Sequence, residues 1–279
     1  MKIDKVIFSC SLEYGAFWNI NSKVLKECLG LDSVCLLYGH KNDLISDEYG
    51  EIIECSYNPN LPKIVQLVLN KFYHTQTEPD TTWMIGDIDQ LPLQSKRFVE
   101  EIADIPTNFY VHLAENANTM RMSPDPIYWQ QHPVNSNDGN AQLPAHYHVA
   151  KGSTLQDFLK LDIPFEEYVN NLVKKKLQIT SMNPLTTFSE ILELEKKMFF
   201  WAYEEGYTTD FLREKLHLNR YKGFARNTSL DRVCRSTGCS HNDSDLRNKK
   251  YIDIHCPRPY IENKETINKI INQVWDIEL

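Results

Sequence analysis

The chain has 279 residues, of which 42% are hydrophobic and 24% are charged. These values are ordinary for a folded globular protein, and they exclude a disordered chain, a collagen-like repeat and a small disulfide-stapled domain. The formal charge of -8 comes without a lysine- or arginine-rich block, which argues against binding of nucleic acid or anionic lipid. An enzyme of this composition that binds a small anion needs local cations or a metal ion.

Strand and helix patterns alternate in the first 115 residues. Strand-like apolar runs occupy 5–10, 33–38 and 51–55, and helical spacing of apolar residues occupies 17–29 and 62–73. An apolar run at 83–85 is then stopped by Gly86-Asp87-Ile88-Asp89. This alternation predicts an α/β fold with a mainly parallel sheet flanked by helices, whose ligand crevice lies beyond the carboxyl ends of the strands.

The second half of the chain has a more helical pattern. A strand pattern at 109–113 leads into a polar loop at 123–143, and a late strand pattern occupies 251–255. Helical patterns occupy 154–161, 165–177, 189–205 and 265–275. Because no repeat or low-complexity linker divides the sequence, we predict a single domain over 1–279.

Several features bear on cellular location. No stretch approaches the ~20 apolar residues that cross a bilayer, and the first eight residues enter a strand pattern rather than a signal peptide. Seven cysteines in a chain of this length do not form a disulfide framework. The sequence therefore predicts a cytoplasmic protein without a transmembrane segment, and it does not indicate an oligomeric state.

Two Asp-x-Asp motifs occur in the sequence, and their contexts differ. Asp243 and Asp245 lie in a polar run, which favours a solvated loop. Asp87 and Asp89 close an apolar strand, and in extended backbone their side chains would share one face, roughly 6 to 7 Å apart. Carboxylates suit Mg²⁺ or Mn²⁺, whose remaining ligands can be a diphosphate and water. The alternative is a turn in which one aspartate caps the following segment.

The order of these elements, followed by WMIGDIDQLPL, resembles the nucleotide-sugar-binding half of a GT-A-type glycosyltransferase. The resemblance implies a Rossmann-type sheet, with 1–115 binding the nucleotide-sugar donor and 116–279 binding a carbohydrate or glycan acceptor. It also implies Mn²⁺ or Mg²⁺ as cofactor, with Asp87 toward the ribose and the metal and Asp89 on the metal. Ser9 and Tyr14, after the first strand, would lie near the base.

A late histidine often completes the metal shell of GT-A enzymes, and His255 matches that position. It ends a strand pattern and precedes Cys256-Pro257-Arg258-Pro259, a stiff segment that would hold an imidazole at the strand end. Arg258 would then meet phosphate oxygens. The alternatives are a partly buried histidine with a backbone partner and a surface arginine.

Two further groups of residues are candidates for sugar contacts and proton transfer. His146, His148 and Gly152 would line a sugar pocket, or else serve packing alone. An inverting reaction needs a carboxylate that takes the acceptor proton. The candidates for this base resemble the acidic pair that inverting GT-A enzymes carry after the acceptor region, and they are Glu204, Glu205 and, nearby, Asp210. A retaining reaction would not need that base.

A zinc site involving Cys234, Cys239 and His241 is a poorer interpretation, because structural zinc usually shows tighter cysteine spacing. Arginines make this loop basic, so it would instead cover donor phosphates.

Two alternative functions remain open. A nucleotidyltransferase acting on a sugar phosphate should carry a basic, glycine-rich loop after its first strand, whereas residues 10–20 contain no lysine or arginine and only Gly15. The other alternative is a non-catalytic carbohydrate-binding or scaffold protein.

Overall fold

The computed structural model describes residues 1–115, 146–171, 215–225 and 230–277. Ten strands lie in these ranges and form two sheets. In chain order they are β1 (Lys5–Ser11), β2 (Asp32–Tyr38), β3 (Glu51–Cys55), β4 (Thr82–Ile85), β5 (Gln90–Pro92), β6 (Tyr110–Glu115), β7 (His148–Lys151), β8 (Tyr221–Ala225), β9 (Arg232–Cys234) and β10 (Asp253–His255).

The larger sheet has seven strands in the order β3-β2-β1-β4-β7-β6-β8. All of its described pairings are parallel except the two made by β7, which runs antiparallel to both β4 and β6. The predicted mainly parallel α/β sheet is therefore confirmed. Its carboxyl edge, where β1 and β4 end, carries the residues examined below.

Helices cover both faces of this sheet. The α-helices with both ends described are α1 (Ala16–Lys23), α2 (Lys63–Tyr73), α3 (Gly152–Leu159), α4 (Asp243–Arg247) and α5 (Tyr260–Trp275), and residues 165–171 are helical as well. A π-helical turn, Val24–Cys28, continues α1. Along β1 the side chains alternate, so Val6 and Phe8 pack with α1 and α5 while Ile7 packs with α2 and α3. Burial on both faces explains the continuous apolar runs of the strands.

The smaller sheet has three short strands in the order β5-β10-β9, with β10 antiparallel to β5 and parallel to β9. Apolar side chains from each of its strands join the core cluster beside α1 and α5. The register places His255 opposite both Gln90 and Cys234, and Asp253 opposite Arg232. This sheet therefore brings chain segments that are far apart in sequence to the end of β4.

Among the described helices, none combines the length and the apolarity that a membrane crossing requires. The predicted loop at 123–143 and the predicted helix at 189–205 lie outside the described residues.

Candidate functional site

The chain turns sharply after β4, and this turn carries Asp87 and Asp89. The backbone N–H of Gln90 donates to the carbonyl of Asp87 at 3.0 Å, which closes the turn. Asn21, fully buried on α1, donates from Nδ2 to the carbonyls of Ile88 and Gln90, both at 3.1 Å. The segment is therefore not the extended backbone that the sequence suggested, and the two carboxylates meet different sets of partners.

Asp87 lies among donors from α2, from β5 and from the residues just before β7. Lys71 on α2 approaches Oδ1 at 2.7 Å, and Gln90 Nε2 donates to Oδ2 at 3.2 Å. His146 Nδ1 lies 3.5 Å from the same Oδ2. Burial alone would raise the pKa of Asp87, but the Lys71 charge and the His146 hydrogen bond outweigh it and hold that pKa well below its usual range. Asp87 is thus an ionised carboxylate with a buried lysine as counter-charge.

Asp89 is buried and lies between two guanidinium groups. Its Oδ2 accepts from Arg235 Nη1 at 2.9 Å and from Arg258 Nε at 2.7 Å, and His255 Nε2 is 3.4 Å away. Oδ1 has no hydrogen-bond partner within the ranges that the structure describes. Burial raises the pKa of Asp89, whereas the hydrogen bond with His255 and the charges of His255 and Arg258 lower it, and the lowering is larger. A charged acceptor therefore holds both arginines in place.

Arg258 also connects this turn to the end of β1. Its Nη1 donates to the Tyr14 hydroxyl at 2.9 Å, and its guanidinium lies 4.8 Å from the centre of the Tyr14 ring. Ser9, on β1, has a buried Oγ without a hydrogen-bond partner in the described part of the chain. Side chains of Arg235 and Arg258 are 31% and 40% exposed, so an anion from solvent can reach both. Of the predicted residues, Tyr14, Asp89, His255 and Arg258 are thus brought together.

The charge balance around the turn favours an anionic ligand. Four cationic side chains face three carboxylates, which leaves one net positive charge before His146, His255 and Cys234 are counted. The cations are Lys71, Arg232, Arg235 and Arg258, and the carboxylates are Asp87, Asp89 and Asp253. A protein with a formal charge of -8 therefore has a locally cationic site.

A divalent metal is the cofactor that the predicted fold implies, and the donor atoms can be tested for it. Within the described ranges, no group of three or more His, Cys, Asp or Glu side chains is arranged to hold a metal. Asp87 has donors on both oxygens, whereas Asp89 keeps Oδ1 without a partner there and has the His255 imidazole beside it. Because Mg²⁺ and Mn²⁺ need only one or two protein ligands when a diphosphate supplies the others, Asp89 Oδ1 is open to such an ion. Burial lowers the pKa of His255, but its hydrogen bonds with Asp89 and Cys234 raise it further, so His255 would bind a metal only after it loses a proton.

His146, His148 and Gly152 occupy different environments. His146 contacts Asp87, as described above, and so belongs to the site. His148 lies in the core on the α2 side of the sheet, where its Nδ1 is 2.8 Å from the Tyr110 hydroxyl. Gly152 packs against the backbone of residues 75–79, so its small size is explained by packing.

Several residues of the site were not assigned from the sequence. Lys71 lies within a helix pattern, and Gln90 and Asn21 carry no motif, so no local signal distinguishes them. Arg235 is one of the arginines that make the loop after Asp231 basic, and the sequence does not distinguish it from the others. The predicted bases Glu204, Glu205 and Asp210 lie outside the described residues.

Cys234 on β9 is also part of this region. Its hydrogen bond with His255 is the main reason that the pKa of its thiol falls to about 6. Its Sγ lies 3.0 Å from Ser236 Oγ, and the structure describes every cysteine in its ranges as a free thiol.

Comparisons with known proteins give a fold and no sequence relative. No protein-family model and no curated protein sequence matches the chain. An active-site mutant of LgtC has a TM-score of 0.51 at 11% identity, and the match covers 98% of this chain and 97% of that chain. The chain has the GT-A fold. The galactosyltransferase LgtC in complex with donor and acceptor sugar analogs also matches, with 12% identity, a TM-score of 0.48 and the same coverage.

Proposed function

We propose that the protein is a glycosyltransferase that moves a sugar from a nucleotide-diphosphate donor to a hydroxyl of a carbohydrate or glycan acceptor. The observation that carries this proposal is the cationic site around the turn after β4, where Arg235 and Arg258 share the buried Asp89 carboxylate. The site lies at the carboxyl edge of a parallel sheet, the usual ligand position in such folds. The GT-A fold shared with LgtC, a galactosyltransferase, supports the same conclusion.

The described side chains fit the parts of a nucleotide diphosphate. Arg235 and Arg258 would donate to the phosphate oxygens, and their charges would stabilise the diphosphate as it leaves the sugar. Tyr14 and Ser9 lie toward the end of β1, where the base would bind, and the buried Ser9 hydroxyl has a hydrogen bond still to make. Asp87, paired with Lys71, would face the ribose. Residues 1–115 would thus supply the base and ribose contacts, whereas both arginines for the diphosphate come from the second half of the chain.

A divalent cation, Mn²⁺ or Mg²⁺, would be held by Asp89 and His255 together with the diphosphate. When bound, it adds positive charge next to the departing phosphates. Asp87 as a further metal ligand stays a prediction, because both of its oxygens already have donors. His146 would contact the sugar from the side of Asp87.

The acceptor half, 116–279, would supply the proton acceptor. Glu204, Glu205 or Asp210 is proposed as the base of an inverting reaction, and a retaining reaction would dispense with it. A cytoplasmic location stays a prediction.

The test of this function is titration calorimetry with nucleoside diphosphates in the presence and absence of Mn²⁺. We expect at least one of UDP, GDP, CDP and ADP to bind, and to bind about tenfold or more tightly with Mn²⁺. No response to any of them under either condition would contradict the proposal and favour a non-catalytic scaffold.

Removing one of the two arginines should weaken this binding. Because a hydrogen bond to a charged group contributes about 1.5 to 3 kcal/mol, we expect Arg258→Ala to raise the Kd of the diphosphate by about ten- to a hundredfold. Arg247→Ala, on the exposed helix α4, is the matched control and should bind as the parent does. Equal affinities for the two variants would remove Arg258 from the donor site.

A further inference from the structure

We infer that Arg232 and Asp253, buried in the smaller sheet, are positioning residues that fix the orientation of Gln90 against Asp87. This inference rests on the proposed function, because it concerns the donor site of the same reaction. The sequence predicts Arg232 only as part of the basic loop over the donor phosphates, and it does not single out Asp253. Both side chains are buried and do not reach the surface where a donor would bind. Their effect on the reaction would pass through Gln90.

The two residues form a buried, forked ion pair between neighbouring strands. Arg232 on β9 donates from Nε to Asp253 Oδ1 at 2.8 Å and from Nη2 to Oδ2 at 2.7 Å. The side chains are 7% and 0% exposed. The Tyr147 hydroxyl donates to Asp253 Oδ2 at 2.8 Å and so adds a third bond to the carboxylate. Both charged groups are therefore held in one geometry.

From this pair, Arg232 reaches across to the turn after β4. Its Nη2 donates to Gln90 Oε1 at 2.6 Å and lies 3.2 Å from His146 Nε2. A guanidinium only donates hydrogen bonds, so the oxygen of the Gln90 amide must face Arg232. The NH₂ group of the same amide must then face Asp87, to which it donates at 3.2 Å.

His146 lies beside the same amide, with its Nε2 3.2 Å from Arg232 Nη2 and its Nδ1 3.2 Å from Gln90 Nε2 and 3.5 Å from Asp87 Oδ2. Arg232 thus determines that the Gln90 amide presents a donor, rather than an acceptor, to Asp87. Turning the Gln90 amide around would place its oxygen against a carboxylate.

A purely structural role does not account for these contacts. A buried ion pair is weak evidence for stability, since apolar residues of similar volume often pack as well in its place. Such residues would not orient an amide. What the pair supplies, and an apolar pair would not, is a fixed hydrogen-bond direction at Asp87.

The experiment separates positioning from packing with a double variant. Arg232→Met combined with Asp253→Leu removes both charges together, so no unpaired charge stays buried. Because the Tyr147 hydroxyl and Gln90 Oε1 lose a buried partner, we expect its melting temperature to fall by several degrees while the variant still folds. We expect kcat for donor turnover to fall about ten- to a hundredfold and the KM of the acceptor to stay unchanged. Arg220→Lys, at a guanidinium that pairs with Asp157 on α3, is the matched control and should keep the parent kcat.

A second variant tests the same step without touching the ion pair. Gln90→Glu keeps an oxygen toward Arg232 but exchanges the NH₂ group for an oxygen that faces Asp87. Its kcat should fall as in the double variant, even if the double variant fails to fold. A parent-like kcat in Gln90→Glu, or in a folded double variant, would overturn the inference. Absence of donor turnover in the parent with every nucleotide sugar tested would instead overturn the proposed function, and the inference with it.

Discussion

Asp89→Ala is expected to lower turnover of the nucleotide-sugar donor by about a hundredfold or more. The substitution removes the acceptor that Arg235 and Arg258 share, and both guanidiniums are partly exposed and would lose their common position. It also removes one of the two proposed metal ligands. Losing a preorganised charge contact typically reduces kcat by a factor of about 10² to 10³. Hydrolysis of common nucleotide sugars, followed by release of the nucleoside diphosphate, measures the effect.

The second Asp-x-Asp motif of the chain supplies the control for this experiment. Asp245 lies on α4, where its carboxylate pairs with Lys250 at the surface. Asp245→Ala should therefore keep parent turnover. Asp89→Asn, which preserves shape and removes charge, should behave as Asp89→Ala does. Undiminished hydrolysis in both Asp89 variants would show that the carboxylate has no part in the reaction.

Gly152→Ala is expected to cost about 3 kcal/mol of the free energy of unfolding. A Cβ at this position would clash with the Thr75 carbonyl and lie 2.7 Å from the Glu78 carbonyl and 3.0 Å from the Pro79 Cα. All three are backbone atoms, so no side-chain rotation relieves the overlap. For a chain of this size the melting temperature should fall by roughly 5 to 10 °C, measured by thermal unfolding.

This stability experiment also decides between the two interpretations of Gly152 that the sequence leaves open, a sugar pocket and packing alone. Gly30, whose φ is +65° and whose Cβ position is open, gives the comparison, and Gly30→Ala should cost only about 1 kcal/mol. If Gly152 serves packing, the folded variant should bind nucleoside diphosphates as the parent does. Unchanged stability with weakened donor binding would instead show that Gly152 belongs to the sugar pocket.

The early part of the fold was predictable from local patterns. β3 was predicted at its observed bounds, and α2 ends at Tyr73 as predicted. It begins one residue later than predicted, because Pro62 is its N-cap and not a residue of its first turn. β7 was missed because it contains only four residues and its antiparallel position is set by β4 and β6, which are distant in sequence. The smaller sheet was largely missed because its strands have three residues each, too few to show the alternation of apolar and polar residues that indicates a strand. Only β10 falls within a predicted strand, the one at 251–255.

The site shows the same division between local and distant information. The position of Asp87 and Asp89 at a strand end could be read from the apolar run before them. Their partners could not, because Lys71 comes from a helix and Arg235 and Arg258 follow Asp89 by 146 and 169 residues. The prediction that Asp87 and Asp89 share one face was also wrong, because it assumed extended backbone. The chain forms a closed turn at these residues, and that turn sets the direction of each carboxylate.

The antiparallel strand β7 has a consequence for how the chain folds. In the larger sheet β6 has only β7 and β8 as neighbours, and β4 reaches β6 only through β7. A polypeptide ending at 115 would therefore leave β6 with no bonded neighbour in that sheet and β4 with an open edge. The segments before and after residue 115 are expected to fold cooperatively rather than in succession, with the slow kinetics of a topology dominated by distant pairings.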